Sequence, residues 1–282
     1  MKTARRILWI TIFCAIVFVI ILLIAGEGLG KKEKPKLVFP GNQSMLLFAH
    51  RGSGNYFPEN SIEGIKAAMT TGFKAIETDI RLTADDSLVI FHDDNCLRLL
   101  GIDTSVHSLS AAELKKSQIL FNGVRSASSV LMLEDLFKIM NDRVVIYLDV
   151  KLHDTGMAEK VAAMIKEYHL ESSTIVANSN MLFIAWIEFH YPEINTVLEG
   201  FTPGKEWIYN LIPKKFKPDY LSSFAEDVNA DQMDWLRRND LTSQRIVYGV
   251  DSANFRQTVN AGIQKIIMDY DSSLQTEIMK CR

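Results

Sequence analysis

The chain has 282 residues and carries 31 Lys+Arg against 34 Asp+Glu. That near balance argues against a nucleic-acid partner, which calls for a strongly basic face. The three cysteines show no CxxC spacing, which excludes zinc-ribbon and thioredoxin readings; Cys96 and Cys281 either pair or remain two lone thiols.

The first element is apolar. Lys2, Arg5 and Arg6 precede an unbroken apolar run from Ile7 to Ala25. At about 1.5 Å per residue such a run reaches close to the ~30 Å hydrocarbon thickness of a bilayer. It exceeds the usual h-region of a signal peptide. Residues 1–30 are therefore expected to form a transmembrane anchor, with a cleaved signal peptide as the alternative that Gly26, Gly28 and Gly30 keep open. The basic N-terminus places the rest of the chain outside the cytoplasm; cleavage would make it secreted or periplasmic. Residues 31–44, charged and holding Pro35, Pro40 and Gly41, read as a linker.

From residue 45 to the end, short apolar runs alternate with helical patterns. Strands are expected at Met45–Ala49, Ala75–Ile80, Leu88–Phe91, Val144–Val150, Thr174–Ala177, Asn195–Leu198, Tyr220–Phe224, Ile246–Val250 and Ile266–Met268. Helices are expected at Ser61–Thr71, Leu133–Met140, Gly156–Tyr168 and Ala230–Arg238, the first with Ser61 as N-cap and Gly72 as its stop. This alternation predicts an α/β fold with a parallel sheet, closed or doubly wound. A closed barrel takes eight strands, so one of these candidates would be accessory or mistaken. Asp79 to His92 is too short for a helix and a strand. It must turn as a hairpin at Asp85-Asp86-Ser87 or cross without a helix, and either route brings His92 toward Asp79.

The chemistry-bearing residues stand at strand ends, where α/β barrels build their sites. Glu77 and Asp79 are two apart and share one face of a strand. Asp149 and Lys151 repeat that spacing. Neighbouring carboxylates repel unless a cation neutralises them. Glu77, Asp79 and Asp149 thus form a hard-oxygen set suited to one divalent cation, Ca2+ or Mg2+. Arg51 and Lys151 suit phosphate oxygens. His50 and His92 suit proton transfer, since an imidazole as a residue type titrates near neutral pH. Tyr56, Phe57, Trp207 and Tyr248 are aromatic candidates for a substrate pocket, against the ordinary reading of each as core. His153 is close enough to Lys151 to line the mouth but matches no motif.

The run Ala49-His50-Arg51-Gly52, followed by Pro58-Glu59-Asn60-Ser61, resembles the HRG…PEN signature of the glycerophosphodiester phosphodiesterases. So do Glu77-Thr78-Asp79, Thr83 with Asp85, His92-Asp93, Leu133-Glu134-Asp135, Asp149-Val150-Lys151 and Ile267-Met268-Asp269-Tyr270, in order. The resemblance spans Met45 to Tyr270. It implies a TIM-type (β/α)8 barrel over residues 45–282 and metal-dependent hydrolysis of glycerophosphodiesters to glycerol 3-phosphate and an alcohol. By position it makes His50 and His92 the acid/base pair, Glu77 and Asp79 metal ligands, and Arg51 and Lys151 phosphate contacts. Asp149 stands where the family usually has the longer Glu, and Tyr248 stands for a Trp that would meet substrate. Two routes fit these groups: direct attack by water, or attack by the glycerol hydroxyl through a cyclic phosphate. Glu59 is either a further ligand or part of a helix start. Two other readings compete: a lysophospholipase D-like enzyme acting on membrane lysolipids, and a barrel that binds phosphate ligands without turnover.

Overall fold

The computed structural model describes residues 5–7, 9–14, 16–17, 20, 37, 45–52, 55–140 and 144–280. Eight strands run parallel and close on themselves: β1 (Leu46–Ala49), β2 (Ala75–Leu82), β7 (Val145–Val150), β8 (Thr174–Asn178), β9 (Asn195–Leu198), β10 (Tyr220–Phe224), β11 (Arg245–Val250) and β12 (Lys265–Met268). The barrel shuts because β1 pairs with both β2 and β12. Helices cover the outside, among them Ile62–Thr71, Leu133–Met140, Thr155–Glu167, Met181–His190 and Ala230–Arg238. The closed alternative, not the doubly wound one, is what forms.

One candidate strand is accessory, as the count required. β3 (Leu88–Ile90) folds back antiparallel on β2, with Ile80 opposite Ile90. It opens an insertion that holds the hairpin of β4 (Gln118–Phe121) and β5 (Val124–Ser129), then β6 (Leu131–Met132). The insertion has its own small core of Phe91, Cys96, Leu99, Leu100, Val106, Leu114 and Val130. Cys96 is a buried free thiol; Cys281 lies outside the described residues.

Strand pleating sorts the side chains. On β2, outward Ile76 and Ile80 join the layer under the helices, while inward Ala75 joins Leu46, Phe48, Val145, Tyr147, Ile175, Val197, Ile246 and Ile267 inside the barrel. Leu37, the one described residue of the expected linker, is also buried in that inner cluster. The apolar run Ile7–Ala25 lies partly outside the described residues. Those of its positions that are described are helical and mostly exposed. Among the described residues no helix is long and apolar enough to cross a membrane.

Candidate active site

The inward rows change character from one end of the barrel to the other. Ala75 is followed two residues on by Glu77 and then Asp79. Val145 is followed by Tyr147 and Asp149, Phe48 by His50, and Ile267 by Asp269. A period of two thus carries each strand from apolar floor to polar mouth on a single face. Register does the rest: Asp79 lies opposite Asp149, and Phe48 opposite Ile267, which brings His50 level with Asp269.

Of these rows, His50, Glu77, Asp79, Tyr147, Asp149 and Ile267 line one cavity of about 330 Å³, together with Arg51, His92, Lys151, Glu199, Phe224, Tyr248 and Gly249. The eight residues given catalytic, metal-binding or substrate-binding roles from the sequence converge here: His50, Arg51, Glu77, Asp79, His92, Asp149, Lys151 and Tyr248. Glu77, Asp79 and Asp149 each offer an oxygen within 4.8 Å of the others. Glu77 and Asp79 are almost wholly buried.

The first βα turn is built for this site. Arg51 takes a positive φ of 49°, and its backbone N–H donates to Glu77 Oε2 at 2.9 Å. Gly52 follows with φ 64°, where a Cβ would lie 2.6 Å from the Ile65 side chain. Gly64, one turn into the helix, lets that helix approach: a Cβ there would sit 2.4 Å from the Gly52 carbonyl oxygen. Only glycine fits either contact. Asn60, also at positive φ, donates from Nδ2 to Asp79 Oδ2 at 2.9 Å and so fixes that carboxylate. Ser61 then caps the helix by accepting from the Gly64 N–H at 3.1 Å. Glu59 is not part of the carboxylate group; it accepts from Arg51 at 3.2 Å and from Arg98 at 2.6 and 2.8 Å.

The β2–β3 hairpin delivers the second histidine. Phe91 N–H donates to the Asp79 carbonyl at 2.9 Å, and Arg81 Nε donates to the His92 carbonyl at 2.9 Å. The backbone of His92 is thereby tied to the strand carrying Glu77 and Asp79. Each imidazole has a carboxylate behind it. His50 Nδ1–H donates to Asp269 at 2.9 Å, and His92 Nδ1–H donates to Asp93 at 2.7 Å. This leaves Nε2 of each ring for the cavity. Burial works against the His50 imidazolium, but the hydrogen bond to Asp269 and the nearby Glu77 outweigh it and raise its pKa.

The acids are electrostatically frustrated. Burial, then the neighbouring Asp79, pushes the Glu77 carboxyl up to about 8. Burial would also raise Asp79, yet the Lys151 ammonium and the Arg51 guanidinium hold it below the usual range. Asp149 is raised, by burial first, against the pull of Lys151. Lys151 Nζ contacts Asp79 at 2.8 Å and also bonds Asp149, while Arg51 Nε lies 3.6 Å from Asp79. Four cavity carboxylates, Glu199 included, thus face two permanent cations. A divalent cation among Glu77, Asp79 and Asp149 would balance that excess and remove the repulsion, so the donor set fits such an ion in type and placement.

Glu199 was not legible as a site residue. It continues the inward row of Asn195 and Val197 one step beyond β9, and that period-two pattern was the available signal. The Tyr147 hydroxyl donates to it at 2.7 Å, and burial, then Asp149, pushes its carboxyl up to about 8. Phe224, another cavity residue not foreseen, meets Tyr248 edge to face with ring centroids 4.5 Å apart. Three other aromatic candidates are neither core nor cavity: Tyr56, Phe57 and Trp207 are exposed. His153 bonds Asn178 and is not a lining residue.

Comparison with known proteins agrees with this geometry. The model of the glycerophosphoryl diester phosphodiesterase family matches residues 50–190, half of the chain. The chain belongs to that family. A glycerophosphodiester phosphodiesterase of Caldanaerobacter subterraneus subsp. tengcongensis is 31% identical over 141 residues, 48% of this chain and 58% of that protein. Lysophospholipase D GDPD1 of Mus musculus is 26% identical over 140 residues, 47% of this chain and 44% of that protein. The chain thus spans less than two thirds of the length of these curated relatives. The fold extends further than the sequence match. A phosphodiesterase of Oleispira antarctica, solved with its product sn-glycerol-3-phosphate, superposes with a TM-score of 0.72 over 85% of this chain and 97% of that one, at 21% identity.

Proposed function

We propose that this family member hydrolyses glycerophosphodiesters to glycerol 3-phosphate and an alcohol, with His50 and His92 as the acid/base pair. The observation that carries the reading is the convergence, in one cavity, of three carboxylates with oxygens within 4.8 Å and two imidazoles each backed by a carboxylate. Glu77, Asp79 and Asp149 would hold Ca2+ or Mg2+, which when bound supplies Lewis-acid stabilisation of a phosphate oxygen. Arg51 and Lys151 surrender their bonds to the acids and turn to the remaining phosphate oxygens. The two Nε2 atoms divide the protons: one imidazole withdraws a proton from the attacking oxygen, of water or of the glycerol hydroxyl, and the other delivers one to the departing alcohol oxygen; on the glycerol-hydroxyl route water then opens the cyclic phosphate.

The test is release of glycerol phosphate from glycerophosphocholine by the purified protein, with Ca2+, with Mg2+ and with chelator. Metal-dependent release, lost in His50→Ala and His92→Ala, is the expected result. Full activity in either variant, or undiminished activity in chelator, overturns the assignment.

A lysophospholipid substrate is the second reading, and two observations favour it. Relatives named lysophospholipase D match the chain. Exposed apolar side chains also stand on βα segments at the mouth end: Tyr56 and Phe57 after β1, Leu182 after β8, Trp207 after β9 and Phe224 at the end of β10. Such a rim suits acyl chains, and the membrane anchor expected over residues 1–30 would keep the barrel near them, outside the cytoplasm. Turnover of lysophosphatidylcholine in vesicles exceeding that of glycerophosphocholine supports this reading; the reverse ranking removes it.

A further inference from the structure

Arg98 does not line the cavity, yet it is wired to both of its working edges. It stands on the short helix Leu97–Leu100 in the insertion. Leu99 and Leu100 bury that helix in the insertion core, and Gly101 ends it at a φ of 70°. Asn95 accepts from the Leu97 N–H at 2.8 Å and donates to Asp103 at 2.9 Å, which fixes the approach to the helix. Arg98 is therefore presented from a packed pedestal.

Its guanidinium makes four hydrogen bonds. Nη1 and Nη2 donate to the two Glu59 oxygens at 2.6 and 2.8 Å, and Nε and Nη2 donate to the two Asp93 oxygens at 2.6 and 2.9 Å. Both carboxylates lead inward: Asp93 accepts from His92 Nδ1 and Glu59 accepts from Arg51 Nη1. The hydrogen bonds from Arg98 hold the Asp93 carboxyl down at about 2, so it stays an acceptor for the imidazole across the working pH range. A planar fork can bridge two carboxylates at fixed angles, which a point-charge ammonium cannot.

We infer that Arg98 is a positioning residue: through Asp93 it orients His92, and through Glu59 it aims Arg51, so the insertion completes the site from outside. The inference rests on the phosphodiesterase reading for its kinetic consequences. The geometry itself stands apart from any substrate. Misplacement of a reacting group by about 1 Å costs on the order of 10²-fold in rate. The His92 arm acts on kcat and the Arg51 arm on KM.

Two arms test it on the full chain. In the kinetic arm, Arg98→Ala lowers kcat and raises KM, for a combined loss near 10²-fold, and Arg98→Lys recovers only part of it. In an Asp93→Asn background, Arg98→Ala loses much of its effect on kcat, because the relay is already cut. In the spectroscopic arm, nitrogen-15 shifts of labelled histidine report one tautomer for His92 in the wild type, protonated on Nδ1. In Arg98→Ala they report tautomer averaging, with His50 unchanged. A folded Arg98→Ala within about twofold of wild-type kcat/KM, or kcat losses from Arg98 and Asp93 that simply multiply, overturns the inference. So does an unchanged His92 tautomer. If the wild type hydrolyses no diester, the functional reading fails while the spectroscopic arm still decides the role of Arg98.

Discussion

The cavity has two unlike walls. On the side of β1, β2 and β7 stand His50, Arg51, Glu77, Asp79, Asp149 and Lys151, with His92 brought in by the hairpin. Across from them, the ends of β9, β10 and β11 supply Glu199, Phe224, Tyr248 and Gly249. The first wall is a tightly cross-bonded array of charge, in which almost every side chain is held by another. The second is an aromatic pair and one carboxyl held by a phenol. The family match ends at residue 190, before the second wall begins. On the function proposed above, the phosphate chemistry would fall to the first wall and the choice of substrate arm to the second.

The largest expected effect lies on the charged wall. His92→Ala should cut turnover by about 10²–10⁴-fold, the range for loss of a general acid or base. A loss of less than tenfold in a folded variant would break the division of labour between the walls. Next comes metal removal. Saturation with Ca2+ or Mg2+ at about 100 times Kd should stabilise the fold by roughly 2.7 kcal/mol over the chelated protein, read from thermal unfolding. Glu77→Gln should abolish that increment. It should also leave the metal-free protein no less stable, because it removes a buried carboxylate that repels Asp79. A metal-induced rise that persists in Glu77→Gln would move the ion elsewhere.

The aromatic wall should respond in kind rather than in size. Phe224→Ala and Tyr248→Phe are expected to change kcat/KM by under about tenfold on any one diester, while altering the ranking across a panel of alcohols. A uniform loss across the panel would put these rings in the phosphate chemistry and erase the contrast. The smallest effect is structural. Ser61→Ala should cost about 1 kcal/mol of stability by uncapping the helix that follows Asn60, measured by denaturant unfolding.

Much of the charged wall was legible because strand pleating writes it as i, i+2 pairs at the ends of apolar runs. Glu77 with Asp79 and Asp149 with Lys151 needed no tertiary knowledge to be placed on a shared face. A length argument left two routes to His92, a hairpin or a crossing without a helix, and the hairpin is the one that forms. What escaped was either non-local or looked like loop. Glu199 sits in Leu198-Glu199-Gly200, which reads as a polar turn unless the inward row is counted past the strand end. Asp269 gains its role only from being level with His50, a fact of register between the first and last strands. Arg98 and Asn60 reach the site through contacts that no local pattern encodes. The β4–β5 hairpin did leave a trace, since Asn122-Gly123 takes the two positive φ values of 52° and 76° that such a dipeptide favours. The helix Met181–His190 left none, being apolar nearly all round. Leu37 adds that a single leucine inside a charged stretch can be drawn into a core.

That leucine decides where the barrel can be cut. Leu37 is sealed among the inward side chains of the barrel, although it precedes every described strand. A fragment trimmed back to Leu46 would lose a stopper from the inner cluster and leave a leucine-sized hole behind, at about 2–5 kcal/mol by analogy with truncating a buried leucine. A fragment that keeps the whole inner cluster therefore begins upstream of residue 37, inside a stretch that composition alone would discard.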